Sequence, residues 1–532
     1  MEDDPPRRTA SLAIVLHAHL PFVRHPEHEY SLEENWFYEC LTETYVPLLL
    51  MLDKLDRQRI DFRITLSISP TLASMLQDTL LRSRYLRRLD LMIELAANEI
   101  KRTKSDQQVN NLARTYSKRL LEVKDAFSVR YGQDLISAFA RLQGTGKIEI
   151  MASAATHGYL PLLSSDDSAV RAQIKIGIDY YAELFGIKPR GFWLPECAFF
   201  PGLDRILHHE GIRYTILETH GITRARPTPP YGIYAPVRCP SGLAVFGRDP
   251  EASRQVWSSV SGYPGDFDYR EFYRDIAYDL PEDYLARYIH PDGIRTDTGF
   301  KYYRVTGATD QKELYCPKTA ENKARTHAAD FISKRVERLG ELSALMDRDP
   351  VFVAPFDAEL FGHWWHEGLI WLDALIRMVK SGQNGLGLTT LSEYLEKHPD
   401  NQVSLPSMSS WGEMGYNKKW LNKKNDWIYR HLHRAAAVVG ALALKYPAAR
   451  GLTQRALNQA GRELLLAQAS DWAFMMDSDD VANYAASRIK THLQRLDKLA
   501  RQIESDSIDR KWLAEIEGQD NIFPKIRYNY FG

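Results

Sequence analysis

The chain has 532 residues, 44% hydrophobic and 26% charged, with a net charge of −1. That length exceeds what one hydrophobic core usually serves, so two or three domains are expected. The balanced charge leaves no basic footprint for nucleic acid and no charged block for a membrane surface.

From its start the chain reads MEDDPPRRTA, which is acidic and proline-bearing and lacks the apolar core of a signal peptide. No later run reaches the roughly 18 apolar residues of a membrane-spanning helix. Several short apolar runs follow, each ending in polar or charged residues. They are LAIVLHAHLP (12–21), DFRITLSISP (61–70), KIEIMASAATHGYLP (147–161), RGFWLPECAF (190–199), IRYTILETHG (212–221), LAVFGRDP (243–250), VFVAPFDAELFG (351–362) and GLGLTTL (385–391). Such runs, bounded by Pro or Gly, predict buried parallel strands. Helical patterns lie between many of them, as in 168–186, 200–211 and 321–347. Alternating strand and helix predicts a parallel α/β architecture.

Two regions break the alternation. Residues 71–145 predict long charged helices, read as an insertion between a first barrel part (1–70) and a second (146–405). After 405 the pattern is helical, and 420–444 and 452–476 keep a 3.6-residue period over several turns. Residues 406–532 are therefore expected to form a C-terminal helical domain. The four cysteines, Cys40, Cys197, Cys239 and Cys316, form no CxxC pair. This fits a reducing, cytoplasmic setting and argues against a thiolate zinc site. The 11 Trp, 28 Tyr and 20 Phe give an aromatic content of 11%. Such rings fill cores, and they can also line a cleft that binds sugars.

The strand ends carry the chemistry. His17 and His19 end the first run, His157 the third, Glu196 the fourth and Asp357 the seventh. In a parallel barrel the C-terminal strand ends build the active site, so these five residues are expected to converge. Glu196 follows Pro195 and reads locally as a turn carboxylate or a pocket carboxylate beside Trp193. Asp357 reads as a helix N-cap or a catalytic acid. Two carboxylates on one barrel face suit glycoside cleavage, and a separation of about 5–5.5 Å would go with retention. His17 and His19, at i and i+2 on a strand, share a face. That pair also suits a zinc hydrolase, with His157, His220 or an Asp completing the ligands. A glucan-binding protein without catalysis is a third reading.

The runs HAHLPFVRHPE (17–27), ATHGYLPLL (155–163), GFWLPECAF (191–199), APFDAELFGHWWHEG (354–368) and SSWGEMGYNKKWLN (409–422) resemble the five conserved regions of glycoside hydrolase family 57. GYPGDFDYREFYRD (262–275) and LLLAQASDWAFMM (464–476) are similar to its 1,4-α-glucan branching enzymes. The resemblance implies an incomplete (β/α)7 barrel with a helical insertion and a C-terminal all-helical domain. It implies Glu196 as nucleophile, Asp357 as general acid/base, and no metal or other cofactor. It places His17, His19 and His157 at the cleaved sugar and Trp411, Trp420, Asp471 and Trp472 near the acceptor, although Trp420 and Trp472 read equally as interhelical core. His363 and Trp364 are expected to shape the sugar site, with Trp193 as a cleft candidate and Arg270 as either a cleft residue or a structural ion-pair member; Trp257 and Tyr263 are weaker candidates. The resemblance also implies an α-glucan partner such as amylose, amylopectin or glycogen, and a net reaction that retains configuration. Trp364, Phe361 and Trp411 are expected to raise the pKa of Asp357 by desolvation. One departure concerns 226–249, where the family's water-shielding tyrosine loop looks shortened; Tyr231 and Tyr234 are the tyrosines present.

Overall fold

The structure is a computed structural model and describes residues 9–258, 261–307, 309–382, 385–478 and 481–532. The acidic start, residues 1–8, lies outside them. Nine strands are present among the described residues: β1 Ala10–Ala18, β2 Ile64–Ile68, β3 Ile148–Ser153, β4 Phe192–Trp193, β5 Tyr214–Leu217, β6 Val237–Arg238, β7 Ala244–Gly247, β8 Val351–Asp357 and β9 Leu386–Leu388. Each of the eight expected runs contains one of them; β6 is additional.

The main sheet runs β4-β3-β2-β1-β8, and all its pairings are parallel. Two single links carry it toward closure. Gly191 bridges to Tyr214, joining β4 to β5, and β5 pairs β7 in parallel. Beyond β7, the Asp249 N–H donates to the Val353 carbonyl of β8 at 2.9 Å. Seven parallel strands thus surround one interior, with only thin contacts at two seams: an incomplete (β/α)7 barrel. β6 runs antiparallel to β7, and β9 pairs the beginning of β1.

The strands are mostly apolar because both faces are covered. Inside, Ala13, Val15, Met151, Trp193, Tyr214, Ile216, Phe246, Val351 and Val353 form one buried cluster. Helices cover the outside closely. On the helix Asp167–Phe185, a Cβ at Gly177 would meet the Ser153 carbonyl at 2.0 Å, so only glycine permits this approach to β3.

Between β2 and β3 lie the helices Pro70–Gln77, Thr79–Arg102, Gln107–Asp125 and Leu135–Gly144. After β9 no further strand occurs among the described residues. The chain continues through helices Trp427–Lys445, Gly451–Ala467, Ser470–Met476, Ala482–Glu504 and Arg510–Gln519. The sequence pattern predicts one helix over 452–476, but it breaks at Gln468 and Ala469. There the backbone turns to the barrel instead: Ala469 bridges to Gly158, and the Ser470 N–H donates to the His157 carbonyl at 3.1 Å. No helix among the described residues is long and apolar enough to cross a membrane.

Candidate active site

Register places the site. On β1, His17 stands level with Ser67 of β2 and with Asp357 of β8. These are the C-terminal strand ends, where a parallel barrel presents its reactive groups. The strand direction therefore brings distant parts of the sequence to one rim.

Glu196 lies in the tight turn Pro195–Cys197 after β4. Its φ is +63°, that of Cys197 +50° and that of His157 +56°. Left-handed backbone at residues other than glycine costs energy and persists only where surroundings enforce it. Trp411 enforces it here: its backbone N–H donates to the Glu196 carbonyl at 3.0 Å. The carboxylate is gripped at both oxygens. Trp411 Nε1 donates to Oε2 at 2.8 Å, and Ser470 Oγ donates to Oε1 at 3.0 Å. Burial pushes the Glu196 carboxyl above the ordinary range, and the Trp411 bond is the strongest opposing influence.

Asp357 has the opposite environment. Its carboxyl has no hydrogen-bond partner among the described residues. Burial, then the charges of Glu359 and Glu196, push it well above the ordinary carboxylate range, and Arg248 opposes them. Desolvation is the largest influence, and two neighbouring carboxylates add to it. Phe361 belongs to the core and is fully buried. The two carboxyls thus sit in surroundings that drive their protonation apart, one held by donors and one crowded by like charge.

The histidines fill the floor. His17 stacks on Trp193 at 4.5 Å between ring centroids, and His19 stacks on His157 at 3.7 Å. His19 Nε2 lies 3.0 Å from Asp471 Oδ1, and its Nδ1 is 2.9 Å from Ser69 Oγ. Burial opposes charge on His19, but Asp471, together with the charges of Glu196 and Glu359, outweighs it and raises the imidazole above its ordinary range. His157 and Glu196 approach to 3.8 Å.

His19, His157 and Asp471 bring possible ligand atoms within 4.8 Å of one another. The geometry does not suit a metal. The two rings lie face to face, 17° from parallel, so their lone pairs run side by side rather than converging. All four ring nitrogens already have protein partners. His220, the other zinc candidate, is turned to the Gly415 carbonyl at 2.9 Å. A second group, Glu463, His492 and Asp520, is buried in the helical domain. It is an ion-pair cluster, with Arg495 bonded to Asp520 and His492 Nδ1 2.7 Å from Glu463.

The other expected site residues divide. Trp411 borders the site, and Trp257, 39% exposed, meets it edge-on at 6.3 Å. Trp364 is 48% exposed and stacks on Phe272 at 4.6 Å. His363 is buried behind it, with Nδ1 3.0 Å from Glu43. Gly362 permits this contact, since a Cβ there would meet the Glu43 carbonyl at 2.0 Å. Asp471 reaches the site through His19.

Trp193, Trp420 and Trp472 are fully buried; this selects the interhelical-core reading of Trp420 and Trp472 over sugar contact and corrects the placement of Trp193 on a sugar-contacting surface. Trp193 fills the barrel interior beneath His17. Trp420 stacks on Tyr159 at 4.3 Å, and Trp472 Nε1 donates to the Leu466 carbonyl at 2.7 Å, both in the seam between barrel and helices. Arg270 takes the ion-pair reading in place of the cleft one: it pairs with Glu43 at 3.0 Å and is 5% exposed. Tyr263 is buried and donates to Asp330 at 2.7 Å.

Three residues of the site are additional to the candidates read from the sequence. Glu359 is buried; it accepts the His19 N–H at 3.0 Å and the Tyr45 hydroxyl, and its carboxyl is pushed up to about 7 by burial. Arg248, after β7, stands over the Trp411 ring at 5.3 Å and pairs with Glu218 at 2.8 Å. Ser470 holds Glu196. Glu359 and Ser470 each lie beside a residue that was singled out, which was the available signal.

Within 226–249, Arg248 reaches the site, but Tyr231 and Tyr234 lie away from the reactive end. The Tyr234 carbonyl accepts the Val351 N–H at 2.9 Å, and Arg348 stands over the Tyr231 ring at 5.6 Å. Val351 begins β8 and Asp357 ends it, so both tyrosines lie a strand length, about 20 Å, from the acid.

Comparison with known proteins agrees with this geometry. Residues 13–408 match glycosyl hydrolase family 57, and residues 431–531 match a family described as the C-terminal region of 1,4-alpha-glucan branching enzymes. A 1,4-alpha-glucan branching enzyme of Thermococcus kodakarensis is 32% identical, over 97% of this chain and 77% of that protein. Among solved structures, an alpha-amylase from Thermotoga maritima superposes with a TM-score of 0.93 at 41% identity, covering 98% of this chain and 99% of the other. A family 57 branching enzyme from Pyrococcus horikoshii superposes at 0.88 with 31% identity, covering 98% and 96%.

Proposed function

This chain belongs to glycosyl hydrolase family 57, and from that premise we propose that it is a retaining 1,4-α-glucan branching enzyme. The observation that carries the proposal is the union of barrel and helical domain at one carboxylate. Ser470, from the segment matching the branching-enzyme C-terminal family, holds the Glu196 side chain that ends a barrel strand.

Glu196, ionised and held by two donors, attacks the anomeric carbon of an α-1,4-linked glucose. The bond to the departing 4-oxygen breaks, and Asp357 gives that oxygen its proton. The carboxylate of Glu196 is now a neutral glucosyl ester, so the repulsion that kept Asp357 protonated falls. Asp357, now ionised, takes the proton from a 6-hydroxyl of a second glucan chain. That oxygen attacks the ester carbon and displaces Glu196, leaving an α-1,6 linkage with the original configuration.

The substrate is an α-glucan such as amylose, amylopectin or glycogen, and the four free thiols fit a cytoplasmic setting in glycogen synthesis. Two observations favour a substantial share of hydrolysis beside transfer. Tyr231 and Tyr234 stand at the wrong end of β8 to shield the glucosyl ester from water, and the relative superposing at 0.93 is an alpha-amylase. Linkage analysis of the products from amylose tests the proposal: α-1,6 branches support it, and release of reducing ends alone would replace it with an amylase.

A further inference from the structure

Ser470 has one hydroxyl proton and two close polar neighbours. Its Oγ lies 3.0 Å from Glu196 Oε1 and 2.9 Å from His157 Nδ1. An ionised carboxylate only accepts, so the proton points at Glu196 and Ser470 must accept from His157 Nδ1–H. Burial, reinforced by the neighbouring His19 charge, pushes His157 and His17 well below the ordinary imidazole range. Each ring is therefore neutral and carries a single N–H. With Nδ1–H committed to Ser470, His157 Nε2 accepts. Its partner at 3.0 Å is His17 Nε2, which must donate. His17 Nδ1 is then left to accept from Ser67 Oγ at 3.2 Å. Every proton along Ser67, His17, His157, Ser470 and Glu196 has one position, fixed by the carboxylate at the end.

The backbone holds this line in place. Ser470 begins the helix Ser470–Met476, and its N–H donates to the carbonyl of the same His157 whose ring it accepts from. Ser67 and His17 are register partners on adjacent strands. The relay therefore starts in the barrel, crosses to the helical domain at Ser470 and returns to the barrel at Glu196.

We propose that Ser470 is a positioning residue for glucosyl transfer: it fixes the Glu196 carboxylate through a histidine relay of single polarity, Ser67 to His17 to His157 to Ser470. This rests on Glu196 acting as the nucleophile. Its hydroxyl is fully engaged and has no proton left for a sugar, so it contributes to kcat and not to substrate binding. The donor also stabilises the charge that returns to Glu196 when the acceptor displaces it.

Ser470→Ala tests the relay. Loss of a donor to a charged group is expected to lower kcat on amylose roughly tenfold to a hundredfold, with KM changed by less than about twofold. The acidic limb of the pH profile should move to higher pH, because the carboxylate loses a donor. Ser470→Thr, which keeps the hydroxyl, should recover most of both effects. Separately, nitrogen NMR of histidine-labelled enzyme, assigned with His157→Gln, should show His157 neutral and protonated at Nδ1 near pH 7, and Ser470→Ala should remove that preference. Wild-type kcat and pH profile in Ser470→Ala, equal damage in Ser470→Thr, or a His157 protonated at Nε2 or charged would each overturn the proposal. Full activity in Glu196→Gln would instead defeat the nucleophile assignment, while the tautomer measurement reads the relay without reference to activity.

Discussion

Trp411 grips Glu196 twice, its indole N–H donating to the carboxylate at 2.8 Å and its backbone N–H to the carbonyl at 3.0 Å. Asp357 has no such donor and is crowded by two carboxylates. The division of labour follows from that contrast. A carboxylate that accepts two hydrogen bonds is stabilised as the anion, whereas one beside like charges keeps its proton.

Trp411→Phe keeps an aromatic ring and removes the donor. The carboxyl of Glu196 then rises further, and a nucleophile that must be ionised is lost earlier as pH falls. The acidic limb of kcat/KM should shift upward, and activity at neutral pH should fall by about 10–100-fold. An unmoved limb would remove Trp411 from the control of Glu196.

Glu359 acts on the other carboxyl. Its charge raises Asp357, and its own carboxyl is pushed up to about 7 by burial, so that influence grows through neutrality. Glu359→Gln removes the like charge and should lower the pH at which Asp357 loses its proton. The basic limb of the rate profile should therefore move to lower pH, while the acidic limb moves less. A basic limb that moves upward would contradict this assignment of influence.

Tyr231 and Tyr234 pack near the start of β8. Tyr231→Phe and Tyr234→Phe should leave the ratio of α-1,6 linkages to reducing ends within about twofold of wild type. A severalfold rise in hydrolysis in either variant would mean that the segment reaches the acid end during turnover.

Trp420 and Trp472 are interior residues of the seam. Trp420→Ala or Trp472→Ala should cost about 3–5 kcal/mol of stability, read as a lower denaturation midpoint. The folded fraction should keep its KM for glucan. Normal stability with a raised KM would return these rings to the acceptor groove.

Much of the barrel was legible because parallel strands buried on both faces leave continuous apolar runs, and a polar residue at the end of such a run marks the rim. His17, His157, Glu196 and Asp357 were visible on that ground. β6 was not, since two residues, Val237 and Arg238, carry no period. Helical periodicity over 452–476 concealed the break at Gln468 and Ala469, because the bonds that replace the helix there go to Gly158 and His157, which are distant in sequence. Arg270, Trp193, Trp420 and Trp472 show the converse. A motif identifies a residue type near a site, but burial decides whether that residue meets the substrate or supports what does. Ser470 and Glu359 gain their roles from partners more than 250 residues away, a relationship that one sequence does not display.

The central claim is transfer to a 6-hydroxyl by the Glu196–Asp357 pair, and proton NMR of amylose treated with the purified enzyme tests it most directly. New α-1,6 anomeric signals should appear as α-1,4 signals decline, and they should be absent with Glu196→Gln. Reducing ends or redistributed α-1,4 oligomers without any α-1,6 signal would contradict the claim.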